Sequence, residues 1–165
     1  MPALTAGKKA PDFTLSAIDG TRFSLRLALQ RGPVVAAFFK ISCPVCQYAF
    51  PFFERLHKAS ANGKATVVGI SQNDARDTAA FLKEYGVTFP ALLDDPNGYA
   101  VSNAYGLTNV PTLFLIGQDG TIEISSVGWV KQEVEQVHAK LAAAQKPVPH
   151  FLFRAGEEVQ DFRAG

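Results

Sequence analysis

The stretch that decides the fold reads Val34-Val35-Ala36-Ala37-Phe38-Phe39-Lys40-Ile41-Ser42-Cys43-Pro44-Val45-Cys46. Its first six residues are continuously apolar and follow a Gly-Pro breaker, a pattern typical of a central strand covered on both faces. Pro44 has no backbone N–H and suits a first helical position, so Cys43 is predicted to cap a helix that continues through Leu56. The stretch therefore predicts a strand, a short turn and a helix, with both cysteines of the chain at the junction.

Patterns on either side of this junction predict an α/β fold with a mixed sheet. Residues 12–25 are typical of a β-hairpin, residues 65–70 of a second strand, residues 112–125 of an antiparallel hairpin and residues 131–144 of a closing helix. Between these strands, the spacing of apolar residues predicts a helix that ends at Gly86 and a short helix near Tyr105. Pro51 is expected to bend the helix after the cysteines. Parallel βαβ units followed by such a hairpin imply a central sheet flanked by helices on both faces.

Length and composition indicate one domain with a tail. The 165 residues are 47% hydrophobic, which is enough for a single globular domain with a core, assigned to residues 1–146. Residues 147–165 form a C-terminal tail after the Pro147-Val148-Pro149 break. Because Phe151-Leu152-Phe153 is apolar, we expect this tail to dock on its own domain or on a neighbouring molecule.

The charge balance and apolar runs exclude several classes of partner. The formal net charge is +1, so nothing favours binding to nucleic acid or to an anionic membrane surface. The longest apolar run is Val34–Phe39, far below the roughly 20 residues of a spanning helix. The first residues show neither a charged n-region nor an apolar h-region, which favours a cytoplasmic protein, with an exported form whose leader has been removed as the alternative.

The Cys-x-x-Cys pair has two common interpretations, half of a metal site or a redox dithiol. A structural zinc needs two further ligands, but the chain has only two cysteines, and His57, His138 and His150 show no paired spacing. We therefore expect redox chemistry without a metal or an organic cofactor.

The predicted position of each cysteine assigns it a role. At a helix N-terminus, unpaired N–H groups and the positive end of the dipole stabilise an anion, so Cys43 is the predicted nucleophile. Cys46 lies one turn further into the helix and is the predicted resolving thiol, which attacks a mixed disulfide formed at Cys43. A pair of small buried apolar side chains without chemistry is the alternative.

These residues, with others along the chain, resemble the thioredoxin superfamily. The resemblance is to its redoxin branch, which joins thiol-disulfide oxidoreductases to alkyl hydroperoxide reductase/thiol-specific antioxidant proteins, and it covers most of the chain. It rests on the segment from Gly7 to Leu15, the junction from Phe38 to Cys46, Pro51, the segment from Tyr105 to Thr112, and Asp119-Gly120.

The resemblance implies a thioredoxin fold and a substrate site. It implies that Pro111 is cis and faces the dithiol, leaving the Val110 backbone free to pair with an extended substrate segment. Pro44 and Val45, between the cysteines, complete the predicted substrate-binding set. The implied partners are a protein disulfide substrate and a thiol electron donor or acceptor.

The chain departs from the family pattern at several positions. Many relatives place an acid near the buried cysteine, but the matching positions here are Ala37 and Ala49. Proton transfer at Cys46 must then use water, another group or Lys40. The Lys40 cation could also help to hold the Cys43 thiolate, although a solvated charge at a strand end is an equal alternative.

The sequence is compatible with two other functions. Peroxidases of the family carry a proline and a hydroxyl residue upstream of the peroxide-attacking cysteine, but the positions matched from Cys43 are Ala36 and Lys40. A peroxiredoxin-like thiol peroxidase, with Cys43 attacking peroxide and Cys46 resolving the sulfenic acid, is thus the second interpretation. A non-catalytic binding module that uses only the edge at Val110 and Pro111 is the third.

Overall fold

A mixed five-stranded sheet forms the centre of the computed structural model, which describes residues 2–61, 63–143 and 151–165. The elements in chain order are β1 (Thr14–Ser16), β2 (Arg22–Ser24), α1 (Leu25–Arg31), β3 (Val34–Phe39), α2 (Pro44–Ala59), β4 (Thr66–Ser71), α3 (Ala75–Glu84), β5 (Ala91–Leu93), α4 (Ala100–Ala104), β6 (Thr112–Ile116), β7 (Ile122–Val127), β8 (Trp129–Val130), α5 (Lys131–Ala143) and β9 (Phe162–Arg163). The strand order is β5-β4-β3-β6-β7, with β3 parallel to β4 and antiparallel to β6. The predicted fold class is confirmed, including the N-terminal hairpin of β1 and β2.

The central strand β3 is buried along its whole length because both of its faces are covered. Val35, Ala37 and Phe39 belong to one apolar cluster, which also contains the buried face of α2. The intervening residues of β3 belong to a second cluster, together with the buried residues of α1. Successive side chains of a strand point to opposite faces, so a continuous apolar run is what two covered faces require.

Helix α1 was not predicted, and it corrects the assignment of Leu25 to the second strand of the hairpin. The strand ends at Ser24, whose Oγ accepts a hydrogen bond from the Leu27 N–H at 3.2 Å and so caps the helix. Leu25, Ala28 and Leu29 are buried at helical spacing. The helix is only two turns long, so its apolar pattern is easily taken for the end of the strand.

The remaining boundaries differ from the predictions by a few residues. β4 runs over Thr66–Ser71 and β7 over Ile122–Val127, each displaced slightly from the predicted ranges. The segment around Leu92 is a short edge strand, and Pro51 lies inside α2, which continues to Ala59. The predicted end of the last helix at Ala144 and the break at 147–149 lie outside the described residues, as does His150.

The segment 151–165 contacts α2, and its last residues pair with β8. Leu152 is buried, and the Phe153 ring lies 5.6 Å from that of Phe52, whereas Phe151 is exposed. Further along, β9 pairs antiparallel with β8, a strand pair that was not predicted. Strands of two residues carry too little periodicity to be recognised locally, so only the folded chain reveals the pair.

An ion pair joins this segment to α2. Both carboxylate oxygens of Glu157 accept hydrogen bonds from the Arg55 guanidinium, at 2.6 and 2.7 Å, and Arg55 also donates to the Leu152 carbonyl at 2.9 Å. The guanidinium hydrogen bonds lower the pKa of Glu157 from 4.5 to about 2. Because the carboxylate form is the one stabilised, this contribution to stability is present above pH 4.5 and is lost as the pH falls toward 2.

We expect Arg55→Ala to lower the free energy of unfolding at pH 7 by about 1–2 kcal/mol, because charge-assisted hydrogen bonds of partly exposed groups have roughly this value. The difference from the unmodified chain should shrink steadily between about pH 5 and pH 2, as Glu157 becomes protonated. Urea unfolding of both proteins at a series of pH values measures this difference in the free energy of unfolding. Arg26→Ala, at an exposed position of α1, is the matched control and should change little; an equal loss for both variants at every pH would contradict the assignment.

Candidate active site

Cys43 occupies the N-cap of α2, as the sequence predicted. Its backbone is extended, with φ −84° and ψ 116°, and its Sγ accepts a hydrogen bond from the Cys46 N–H at 3.3 Å. The sulfur thus takes the place that a serine or aspartate oxygen takes in other N-caps, such as that of Asp74 at α3. Cys43 is half-buried, so an incoming disulfide can approach its sulfur.

Cys46 lies one turn into the helix and is fully buried. Burial raises the pKa of its thiol well above the usual value, because the charged form loses its hydration, and the neighbouring Cys43 raises it further. A backbone hydrogen bond involving Lys40 acts in the opposite direction and is weaker than the effect of burial. Both cysteines are free thiols, so the structure represents the reduced dithiol with Cys46 protonated.

We expect iodoacetamide to modify only Cys43 in the reduced native protein at neutral pH, because alkylation requires an accessible thiolate and Cys46 is buried and protonated. Peptide mass mapping should find one carbamidomethyl group per native chain and two after denaturation. Labelling of Cys46 at the same rate as Cys43 in the native protein would contradict this geometry.

The Val110–Pro111 peptide bond is cis, as the family resemblance implied. The Cys43 thiol donates a hydrogen bond to the Val110 carbonyl at 3.3 Å, so the loop before β6 lies directly against the nucleophile. Among the other predicted substrate-binding residues, Pro44 is exposed at the start of α2, whereas Val45 is 8% exposed and packs in the core. Of the four predicted substrate-binding residues, Pro44 and Val110 are therefore the ones that reach the surface, whereas Val45 and Pro111 are buried.

A cavity of about 310 Å³ lies beside the loop that contains Val110. The residues that line it are Lys40, Gln72, Leu107, Thr108, Asn109, Val110 and Gly165. Lys40 lies at the end of β3, where its carbonyl accepts a hydrogen bond from the Cys43 N–H at 3.3 Å and its side chain is exposed. Its role in catalysis stays a prediction.

Two polar residues after β4 were not predicted as part of this site. Gln72 lines the cavity, and the Asn73 side chain accepts a hydrogen bond from the Ile41 N–H at 3.0 Å, which holds the loop before Cys43. Both follow a strand that is parallel to β3. Since the carboxyl ends of parallel strands meet at one edge of a sheet, strand order could have identified them, but the order was not known from the sequence.

The environment of the buried cysteine is apolar. Ala37 and Ala49, the positions at which many relatives carry an acid, belong to the same buried cluster as Cys46.

Within residues 2–61, 63–143 and 151–165, no group of three or more His, Cys, Asp and Glu side chains is placed to hold a metal ion. In the same part of the chain, every helix is too short or too polar to cross a bilayer.

Comparisons with known proteins find a matching family and similar chains. A family model described as the AhpC/TSA family matches residues 6–125. The thiol-disulfide oxidoreductase ResA of Halalkalibacterium halodurans is 30% identical over 133 residues, which cover 79% of this chain and 74% of that protein. The thioredoxin-like protein YneN of Bacillus subtilis is 31% identical over 135 residues, covering 79% and 76% of the two chains.

Solved structures with the same fold include a peroxidoxin and a disulfide oxidoreductase. The peroxidoxin BcpB of Mycobacterium tuberculosis superposes with a TM-score of 0.70 at 26% identity, covering 87% of this chain and 99% of the other. A secreted disulfide oxidoreductase of the same organism, homologous to Escherichia coli DsbE, superposes with a TM-score of 0.65 at 25% identity, covering 79% and 95%.

Proposed function

Since this chain belongs to the AhpC/TSA family and is a thiol-disulfide oxidoreductase, we propose that it exchanges its Cys43–Cys46 dithiol with disulfides in other proteins. The observation that carries the proposal is the arrangement of the two sulfurs. Cys43 Sγ lies at the N-terminus of α2, where it makes hydrogen bonds with the Cys46 N–H and with the Val110 carbonyl. Cys46 lies one helical turn further along the chain.

The reaction has two exchange steps. In the first, the Cys43 thiolate attacks one sulfur of the substrate disulfide, the substrate S–S bond breaks, and the departing sulfur takes up a proton. In the second, Cys46 loses its proton and attacks Cys43 Sγ in the mixed disulfide, which releases the other substrate thiol. The substrate gains two electrons, and the chain is left with a Cys43–Cys46 disulfide.

The surroundings of the two sulfurs suit these steps. The carbonyl of Val110 contacts Cys43 directly, so a substrate segment that pairs with the Val110 backbone brings its disulfide to the nucleophile. The proton of Cys46 has no carboxylate at position 37 or 49 to receive it, so we assign its transfer to water.

Insulin reduction in the presence of dithiothreitol tests the proposal. The chain should accelerate the precipitation of the insulin B chain, because it passes electrons from the small thiol to the protein disulfide. A rate equal to that of dithiothreitol alone would contradict the proposed function.

A second candidate is thiol peroxidase activity, which the AhpC/TSA match and the likeness to a peroxidoxin favour. Cys43 would attack the peroxide O–O bond and become a sulfenic acid, releasing water from hydrogen peroxide or an alcohol from an alkyl hydroperoxide, and Cys46 would then form the disulfide with loss of one water. Thiol-dependent consumption of hydrogen peroxide measures this activity on the same preparation.

A further inference from the structure

The end of the described chain lies against the substrate edge at Val110. The Asn109 side chain donates a hydrogen bond to the Gly165 carbonyl at 2.9 Å. A Cβ placed on Gly165 would come within 2.5 Å of the Val110 oxygen and 3.0 Å of its carbonyl carbon, so the two backbones are in close contact. This is the same carbonyl that accepts the hydrogen bond from Cys43. Gly165 therefore borders the atoms that a docking substrate must reach.

We call the segment Phe162–Gly165 the C-terminal wall. Two kinds of contact hold this segment beside Val110. Phe162 and Arg163 form β9 and pair with β8. The Arg163 guanidinium lies over the Tyr48 ring, 5.0 Å from its centroid, on the helix that carries the cysteines. Backbone pairing with β8 and a cation–π contact with α2 thus hold the wall in its place.

Gly128 allows the wall to approach the loop of Pro111. Its φ is +75°, and a Cβ there would come within 2.5 Å of the Arg163 oxygen. Its N–H donates to the Pro111 carbonyl at 2.7 Å, so the same glycine contacts the wall on one side and the loop on the other. Only a residue without a side chain fits between them in this conformation.

We propose that the C-terminal wall determines substrate specificity by covering one side of the edge at Val110. The inference rests on the proposed function, in which protein substrates pair with the Val110 backbone. A protein disulfide that docks as an extended strand must displace the wall or bind in the space that it leaves. A small disulfide reaches Cys43 without pairing with this edge, so the wall does not hinder it.

Ending the chain at Asp161 tests the proposal, because it removes the wall and keeps the hydrogen bonds that Gln160 and Asp161 make to Trp129 and Lys131. We expect kcat/KM for insulin reduction to rise about tenfold, the effect of one or two net hydrogen bonds made available to the substrate. The value for bis(2-hydroxyethyl) disulfide should stay within about twofold, since this substrate makes no strand pairing.

A point variant of the full-length chain, with its own control, repeats the test. Arg163→Ala removes the cation over Tyr48 and should also raise kcat/KM for insulin, by a smaller factor than removal of the wall. Lys131→Ala is the matched control, because it removes a cation that lies over the Phe153 ring, outside the wall, and keeps the backbone hydrogen bond from Lys131 to Asp161. It should leave kcat/KM for both disulfides unchanged. If the shortened chain does not fold, this pair decides the question.

The outcomes separate this inference from the proposed function. An insulin rate that stays the same or falls without the wall would overturn the inference, and so would an equal rise for both disulfides, which would mean that the wall merely shields Cys43. If the full chain reduces neither disulfide, the proposed function fails instead.

Discussion

Cys43→Ser is expected to lower the rate of protein disulfide reduction on the order of a thousandfold or more, to the level of the small thiol alone. A serine hydroxyl is not ionised at neutral pH and does not attack a disulfide sulfur, so the first exchange step is lost. The fold should be unaffected, because serine is a favoured N-cap and its oxygen can accept the hydrogen bond from the Cys46 N–H that the sulfur accepts now.

The rate of insulin reduction measures the loss of activity, and a thermal melt shows whether the fold is unaffected. Ser42→Ala changes the exposed neighbour of the nucleophile and leaves both thiols in place, so it should keep the rate within about twofold. A Cys43→Ser variant that turns over at the rate of the unmodified chain would refute the assignment of the nucleophile.

Cys46→Ser is expected to stop the reaction after its first step and to accumulate a mixed disulfide between the chain and its substrate. The buried hydroxyl does not attack Cys43 Sγ, so the intermediate persists until an external thiol cleaves it. Intact mass spectrometry without reductant, after incubation of the reduced variant with insulin, should show one insulin molecule attached to each trapped chain, and dithiothreitol should release it.

The cysteine content makes the attachment point unambiguous. The chain has two cysteines, so an adduct of Cys46→Ser must form at Cys43, and a variant with both cysteines changed to serine should show none. Adducts as abundant in the unmodified chain as in Cys46→Ser would mean that Cys46 does not resolve the intermediate.

The sequence was most informative where a single local pattern determines both structure and chemistry. Cys43 could be placed at a helix N-cap, and Cys46 in the first turn of that helix, from three local signals. These are the six apolar residues of the strand, the short turn after them and the proline at position 44. The cis peptide bond before Pro111 was expected only from the family resemblance, because no local property of a Val-Pro pair distinguishes it from a turn.

Features that depend on distant parts of the chain could not be predicted. Arg55 and Glu157 are 102 residues apart, and neither residue carries a local sign of its partner. The approach of Gly165 to Val110 depends on the pairing of β9 with β8, which in turn depends on where the whole C-terminal segment packs. Similarly, Gln72 joins the site through strand order and not through any motif.

The most direct test of the central claim is a single-turnover reaction between the reduced chain and one equivalent of insulin, without another thiol. After acid quenching, peptide mass mapping should show that the peptide containing Cys43 and Cys46 has lost the mass of two hydrogen atoms, with two insulin thiols gained for each disulfide formed. A peptide that keeps both thiols while insulin is reduced, or insulin that stays oxidised, would contradict the claim that these two cysteines carry the exchange.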